Sequence, residues 1–267
     1  MAFSNFSSRL FGKVAKCNFP SFLQKLINKA YVKYFDIDMS EFKQPDEYLS
    51  LNELFTRTLQ IQRKIEDEFI SPSDGKILEL GQSFDAKDEK FAFSIKGFTY
   101  SLNELLKNSY EDSEFKNGLD YVNIYLSPKD YHRFHSPFDM QILSATYVSG
   151  ELFSVSEKKL SKVANLYTKN ERFILKCLVK NFYIWLVFVG AQNVGSIRLS
   201  FDESIQTNAN KGNFTKTYDS LFLNKADELG HFEMGSTIVL IAQSKNLSFK
   251  PLANSTVKFG EKIATFL

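Results

Sequence analysis

From about residue 70 onward, short runs of apolar residues alternate with polar ones, and this pattern limits the fold more than any other feature. Such alternation is typical of β-strands that bury one face. Strands are predicted at 121–126, 141–148, 173–179, 182–189, 196–201, 232–242 and 257–266, the last as a hairpin turning at Gly260, with helices only at 102–107 and 157–166. We therefore expect an α+β chain with a mainly antiparallel, sandwich- or barrel-like β core.

One seven-residue segment has an internal echo. Residues 71–77 read SPSDGKI and residues 136–142 read SPFDMQI, so four of seven positions match. Each is a Pro–x–Asp turn that leads into a strand, and shared turn chemistry alone could produce the match. The alternative is a duplicated β unit.

The N-terminal region, 1–60, has a helical pattern instead. A helix is predicted from Ser21, as its N-cap, to Tyr34, and a second at 50–59. Lysines recur at four-residue spacing beside an apolar stripe made of Phe22, Leu23, Leu26, Ile27, Ala30, Tyr31 and Tyr34. Such a helix either packs its stripe on the core or lies in a lipid surface. We divide the chain into an N-terminal helical region, 1–60, and a β-rich domain, 61–267.

Bulk properties exclude several classes of protein. A net charge of +2 supplies no field that would favour a nucleic-acid partner. Cys17 and Cys177 have no metal-ligand spacing and are too few for a disulfide framework, so we expect free thiols. The longest apolar run, 182–191, is about half of a membrane span. We expect neither a spanning segment nor a signal peptide.

Two of the three histidines, His132 and His135, lie in one short segment. Three interpretations remain open: half of a metal site, buried structural histidines, or acid–base catalysis near neutral pH. Neither a cysteine pair nor the distant His231 completes a metal set. Two aspartates, Asp74 and Asp139, follow the two Pro–x–Asp turns and could each orient a histidine, and spacing does not choose between them.

A Gly-Ser-Thr tripeptide occupies 235–237, after a polar loop and at the start of a strand-like run. Such a string occurs by chance in roughly one chain in twenty of this length. Alone, it does not distinguish an ordinary strand hydroxyl from a serine at which the chain cuts itself.

Eight segments spread over nearly the whole chain occur in a characteristic order. They are 8–12 (SRLFG), 31–35 (YVKYF), 51–57 (LNELFTR), 71–75 (SPSDG), 124–135 (IYLSPKDYHRFH), 150–155 (GELFSV), 189–197 (VGAQNVGSI) and 235–237 (GST). In this order the chain resembles the prokaryotic phosphatidylserine decarboxylase proenzymes, a pyruvoyl-dependent family. Met234 and Gln192 depart from that family's usual residues, Leu or Phe at the first and a small or apolar residue at the second.

The resemblance implies a site and a reaction. The catalytic residues would be Asp74, His132, His135 and Ser236. The chain would cut itself at Gly235-Ser236 into a β chain, 1–235, and an α chain, 236–267, and Ser236 would become a pyruvoyl cofactor. Phosphatidylserine would then form a Schiff base with that group and leave as phosphatidylethanolamine and CO2. No metal is implied.

Individual roles follow from the same resemblance. His135, oriented by Asp74, would be the base of self-cleavage, and His132 would donate the proton after decarboxylation. Supporting roles fall to Thr237, at the oxyanion or the turn, and to Phe134 and Phe138 as an apolar floor.

The implied fold is a double-barrel-like β architecture in which the two chains share sheets, and the implied assembly is a homodimer. The implied location is the cytoplasmic side of the cell membrane, held peripherally on an anionic surface. This favours the lipid-surface interpretation of the N-terminal helix. Alternatives are a pyruvoyl decarboxylase of a soluble amino acid, a serine hydrolase, which the missing Gly-x-Ser-x-Gly motif disfavours, and a non-catalytic membrane-binding β module.

Overall fold

The computed structural model describes residues 12, 14–86, 89–191, 196–205, 207, 212–233 and 236–267, with the backbone alone at 86, 89 and 90. Its helices are α1 (Ser21–Phe35), α2 (Leu51–Phe55), α3 (Leu102–Leu106), α4 (Glu157–Leu160) and α5 (Leu166–Lys169), with 3-10 turns at Pro45–Glu47 and Asp112–Phe115. Its strands are β1 (Phe69–Ile70), β2 (Gly75–Gln82), β3 (Phe84–Ala86), β4 (Glu89–Ile95), β5 (Phe98–Ser101), β6 (Leu119–Leu126), β7 (Arg133–His135), β8 (Met140–Val148), β9 (Arg172–Val179), β10 (Phe182–Gly190), β11 (Ile197–Leu199), β12 (Phe214–Leu223), β13 (Glu228–Phe232), β14 (Ser236–Gln243), β15 (Leu247–Phe249), β16 (Thr256–Val257) and β17 (Lys262–Phe266).

One large antiparallel sheet organises the molecule, in the order β12-β8-β9-β10-β14-β6-β2-β16. Three smaller sheets accompany it: β1-β17-β15, β11-β13-β7 and β3-β4-β5. The predicted α+β class with a mainly antiparallel core is therefore confirmed. The barrel-like alternative is not found among the described strands, because the large sheet ends in two unpaired edges, β12 and β16.

The large sheet is buried on both faces. Along β10, Ile184, Leu186 and Phe188 face one apolar cluster, which the sheets β1-β17-β15 and β11-β13-β7 cover. Trp185 and Val187 face a second cluster, which β4, β5, α3 and α5 cover. A central strand with apolar neighbours on both faces reads as a continuous apolar run, and this explains the uninterrupted sequence of β10.

Strand pairing reveals a duplicated β unit. In the first unit Ile70 pairs with Lys262, and in the second His135 pairs with Glu228. His135 follows Ile70 by the same number of residues that separates the two echoed segments. Lys262 follows Glu228 by a second number of residues, and these two spacings are the offsets between the units. The same two offsets relate other pairs: Phe69–Ala264 to Phe134–Gly230, Val257–Gly75 to Leu223–Met140, and Thr256–Lys76 to Phe222–Gln141. The second unit, β7 to β13, is inserted between β6 and β14 of the first.

The echoed segments 71–77 and 136–142 lie at the junction of the two units. Their backbones exchange hydrogen bonds: Ile70 N donates to Pro137 O at 3.0 Å, and His135 N donates to Pro72 O at 2.8 Å. Turn chemistry is also shared, since the serine hydroxyl of each segment donates to the carbonyl two residues later. Both interpretations of the echo therefore hold, because equivalent turns occupy equivalent places in duplicated units.

The N-terminal helix α1 presents an unexpected face to the rest of the protein. Its buried residues are polar, Gln24 and Asn28, and Asn28 Nδ2 donates to Pro45 O and Tyr48 O at 2.9 Å each. Several of its apolar residues point outward instead. Pro20, and not the predicted Ser21, precedes the helix as its N-cap, without a side-chain hydrogen bond.

Other predicted elements differ in their bounds. The predicted strand 232–242 is two strands, β13 and β14, because the chain passes there from one unit to the other. The predicted helix 157–166 is a single turn, α4, with α5 following later. Strand β12 was missed, since much of its surface is exposed and its apolar residues are irregularly spaced.

Candidate functional site

Ser236 is the first residue of β14 and pairs with Leu126 of β6 and Gly190 of β10. Ile238 and Leu240, at two-residue spacing from it, belong to the cluster that also contains Phe134 and Phe232. Ser236 therefore lies on the face covered by the sheet β11-β13-β7. Its hydroxyl is buried and has no hydrogen-bond partner among the described residues.

The residues before Ser236 are outside the described part of the chain. Met234 and Gly235 belong to them, so the predicted cleavage bond is described only on its serine side. The same holds for Gln192 and most of the segment 8–12.

Thr237 faces the opposite side of the sheet and is fully bonded. Its Oγ1 donates to Ile124 O at 2.8 Å and accepts from Asn123 Nδ2 at 2.9 Å. The hydroxyl of the buried Tyr167 donates in turn to Asn123 Oδ1 at 3.2 Å. The Thr237 hydroxyl already donates its proton to Ile124 O, so it has no proton to donate to an oxyanion. This geometry fits a role in holding the strand.

His132 immediately precedes β7 and is completely buried. Its Nδ1 lies 2.8 Å from Asp130 O, and since a carbonyl only accepts, Nδ1 carries the proton. Its Nε2 is left without a partner among the described residues. Burial, with the nearby Arg57 cation, lowers the pKa of His132 to about 3. The ring is therefore neutral, with an unused lone pair on Nε2.

His135, the last residue of β7, has the same tautomer but a different environment. Its Nδ1 donates to Ala226 O at 2.9 Å, and its Nε2 accepts from the Tyr131 hydroxyl at 3.1 Å. The ring stacks on Phe259 with centroids 3.7 Å apart. Burial lowers the pKa of His135. Nε2 of His135 is thus unprotonated, and its lone pair accepts the hydrogen bond from Tyr131.

Asp74 is held by an arginine and not by a histidine. Arg63 binds it through two hydrogen bonds of 2.5 and 3.0 Å, and Phe259 N donates to Asp74 Oδ1 at 2.8 Å. Arg63 also binds both oxygens of Glu41. Asp74 makes no hydrogen bond to His135; Phe259 contacts both, donating its backbone N–H to Asp74 and stacking its ring on His135.

Asp139 is the counterpart of Asp74 in the second unit. Its Oδ1 accepts from Lys225 N at 2.7 Å, as Asp74 accepts from the equivalent backbone N–H, that of Phe259. The crossed hydrogen bonds place His135 on the turn that carries Asp74, and Ile70 on the turn that carries Asp139. The fold therefore favours Asp74 as the neighbour of His135, a choice that spacing left open.

The two candidate floor residues pack in different places. Phe134 stacks on Phe188 with centroids 4.1 Å apart and is completely buried in the core. Phe138 meets Phe266 edge-on at 4.7 Å and lies beneath Lys180. Both belong to the same apolar cluster, so the shared floor stays a prediction.

Sequence reasoning missed Arg63, Tyr131 and Arg57. Tyr131 and Arg57 lie in the motif segments 124–135 and 51–57, and their presence there was a usable signal. Nothing in the sequence around Arg63 indicated its partners, because Glu41 and Asp74 are 22 and 11 residues away.

Neither a metal cluster nor a membrane-spanning helix is found among the described residues. No group of three or more His, Cys, Asp or Glu side chains in this part of the chain could hold a metal ion. Within the same residues, no helix is both long and apolar enough to cross a membrane.

Comparison with known proteins gives consistent matches. Residues 51–265 match the sequence profile of the family described as phosphatidylserine decarboxylase. The phosphatidylserine decarboxylase proenzyme of Campylobacter jejuni is 65% identical over 265 residues, 99% of this chain and 100% of that protein. The proenzyme of Helicobacter pylori strain 26695 is 45% identical, covering 100% of this chain and 98% of its own. The mitochondrial proenzyme of Rattus norvegicus is 33% identical over 97% of this chain and 71% of its own.

The hydrogen bond from Tyr131 to His135 can be tested by titration. Because the hydroxyl donates to the lone pair of neutral His135, it stabilises the unprotonated ring. Tyr131→Phe should therefore raise the pKa of His135, as read from the pH dependence of its ring signals in NMR. Tyr183→Phe, on β10, is the control and should leave it unchanged. A pKa that stays constant or falls in Tyr131→Phe would contradict this geometry.

Proposed function

The chain belongs to the phosphatidylserine decarboxylase family, and from that premise we propose that it cuts itself between Gly235 and Ser236 and then converts phosphatidylserine to phosphatidylethanolamine and CO2. The observation that carries the proposal is the Ser236 hydroxyl, buried at the start of β14 without a partner among the described residues. An unsatisfied buried hydroxyl is costly, and a catalytic role is one reason for a protein to retain it.

Self-cleavage uses the chain's own atoms. The Ser236 oxygen attacks the Gly235 carbonyl carbon, the peptide C–N bond breaks, and an ester forms while the Ser236 amine is released. Loss of the Ser236 Cα proton then expels the Gly235 carboxylate and leaves a dehydroalanine. Water converts this to a pyruvoyl group and ammonia leaves, giving chains 1–235 and 236–267.

The surroundings of Ser236 suit such a group. Thr237 is fixed by Ile124 and Asn123, so the new chain end at 236 stays anchored in the sheet after the cut. When present, the pyruvoyl group supplies a carbonyl that engages the substrate amine and draws electrons as CO2 leaves.

We assign His135 as the base that takes the Ser236 proton. Its Nδ1 proton is committed to Ala226 O, so Nε2 is its basic atom. Neither His135 nor His132 bonds Ser236 in the structure, and Tyr131 has to release Nε2 before the transfer. Asp74, through Phe259, would position the ring and would not bond it directly.

We assign His132 to the proton movements of decarboxylation. A neutral ring with a free Nε2 lone pair cannot donate from that atom until it has accepted a proton. It would first take one from the substrate ammonium, which makes the amine nucleophilic. It would then return a proton to the substrate carbon that has lost CO2.

We place the protein peripherally on the cytoplasmic side of the cell membrane, with α1 in contact with anionic lipid. Phe22, Leu26 and Tyr34 on this helix are 78%, 64% and 82% exposed. Exposed apolar residues beside lysines are typical of interfacial helices. A soluble amino-acid substrate would give this surface no task, so the lipid substrate is favoured. The homodimer stays a prediction.

The first test concerns the cut itself. The purified wild-type chain should give two fragments of the masses expected for cleavage at 235/236, the smaller one reactive toward carbonyl reagents. Ser236→Ala should stay a single inactive chain, because it lacks the attacking oxygen. Ser248→Ala, at the exposed middle position of β15, is the matched control and should cleave normally. An uncut wild-type chain would refute the self-processing proposal.

The second test distinguishes the proposed roles of His135 and His132. His135→Ala should slow cleavage by about 10²-fold or more, the usual contribution of a general base. His132→Ala should cleave but not decarboxylate, and His231→Ala should do both. Since burial lowers the pKa of His135, the wild-type cleavage rate should be constant above the ordinary histidine pKa of about 6.5 and fall only in more acidic buffer. Normal cleavage by His135→Ala would reassign the base.

The third test concerns the membrane. Phe22→Ser combined with Leu26→Ser should weaken flotation with phosphatidylserine-containing vesicles by about tenfold or more, since each apolar side chain contributes roughly 2 kcal/mol on burial. Phe222→Ser, 68% exposed on β12, is the control and should float as wild type does. Unchanged flotation of the double variant would remove α1 from the membrane contact.

A further inference from the structure

Arg57, just after α2, is a buried cation whose guanidinium lies over the Phe42 ring, 4.6 Å from its centroid. Its side chain is 2% exposed, and only Nη2 has partners, the backbone carbonyls Lys129 O at 2.6 Å and Asp130 O at 2.9 Å. Its Nε and Nη1 have no hydrogen-bond partner in the described part of the chain. No described carboxylate lies within ion-pair distance of it.

A second buried arginine shows that this fold can satisfy such a group. Arg172 also lacks a carboxylate partner, but all three of its nitrogens donate to backbone carbonyls, those of Glu104, Leu105, Thr168 and Asn170. Leaving two guanidinium nitrogens without a hydrogen-bond partner, as at Arg57, costs stability unless another group binds there.

Arg57 lines a cavity of about 180 Å³ next to the candidate site. The cavity extends from the segment that follows α1 to Asp74 and Tyr131. The cavity thus connects the segment after α1 with residues that surround His135.

Five carboxylates line the cavity, Asp36, Asp38, Glu41, Asp74 and Asp130. Asp74 and Glu41 both bind Arg63, and Glu41 also binds Lys258 at 3.2 Å. Asp130 accepts from the backbone N–H and the hydroxyl of Ser127, and Asp38 accepts from Ser40 N. Among the described residues, none of the five forms an ion pair with Arg57, which remains as the buried cation of the wall with unused N–H groups.

We propose that Arg57 binds the phosphodiester of the lipid headgroup in this cavity, an inference that rests on the proposed function. The guanidinium fork suits the oxygens of a phosphate. The substrate also carries a carboxylate, but an arginine on that group would stabilise the ground state and oppose loss of CO2. The phosphodiester keeps its charge throughout the reaction, so holding it orients the headgroup without this cost.

Binding can be measured without catalysis. The full-length Ser236→Ala chain is titrated calorimetrically with glycerophosphoserine, the deacylated headgroup. Adding Arg57→Gln should weaken binding by about tenfold or more, the usual loss for a hydrogen bond to a charged group. Arg57→Lys keeps the charge without the fork and should fall between the two. Arg172→Gln removes an equally buried arginine outside the cavity and should keep the affinity.

The outcomes separate this inference from the proposed function. Weakened binding in Arg57→Gln with a circular dichroism spectrum like that of the parent supports the subsite, even if the wild-type chain neither cleaves nor decarboxylates. Affinity within twofold of the parent in Arg57→Gln overturns it. If Arg57→Gln does not fold, Arg57→Lys decides in the same way. Inorganic phosphate should bind more weakly than glycerophosphoserine; equal binding would overturn the headgroup assignment.

Discussion

The crossed pair of backbone hydrogen bonds between residues 70–72 and 135–137 is the contact on which the site depends. It joins the two β units at equivalent turns, and it places His135 against the turn of Asp74. Because backbone groups form it, the contact constrains the chain path and not the side chains. One copy could therefore keep an isoleucine at position 70 while the other carries a histidine at 135 without disturbing the junction.

Several of the groups proposed to react or to bind substrate are buried polar atoms without a hydrogen-bond partner. Thr237, Asp74 and Nδ1 of both histidines are fully engaged and hold their neighbours in place. Ser236 Oγ, His132 Nε2 and two nitrogens of Arg57 are among the buried polar atoms of the described residues that have no hydrogen-bond partner. Buried groups of this kind reduce stability, and a role in reaction or binding would account for these.

The N-terminal helix shows how much a periodic pattern can predict. Its period of apolar and basic residues correctly predicts a helix with two faces. Periodicity does not say which face is docked, and the usual expectation is the apolar one. Here Asn28 is docked by two backbone carbonyls, and Phe22, Leu26 and Tyr34 of the apolar stripe are exposed. Docking through the polar side therefore leaves part of the apolar stripe on the surface.

The sequence by itself determined the fold class, the positions of most strands and the family, because each depends on local periodicity or on short motifs in order. It also marked Ser236, His132 and His135 as candidates. Tertiary structure alone decided how Asp74 is held near His135, that Arg63 and Tyr131 join the site, and that the echoed turns belong to duplicated units. Those relations connect residues that are distant in sequence through backbone pairing and burial, and no local pattern records such pairing.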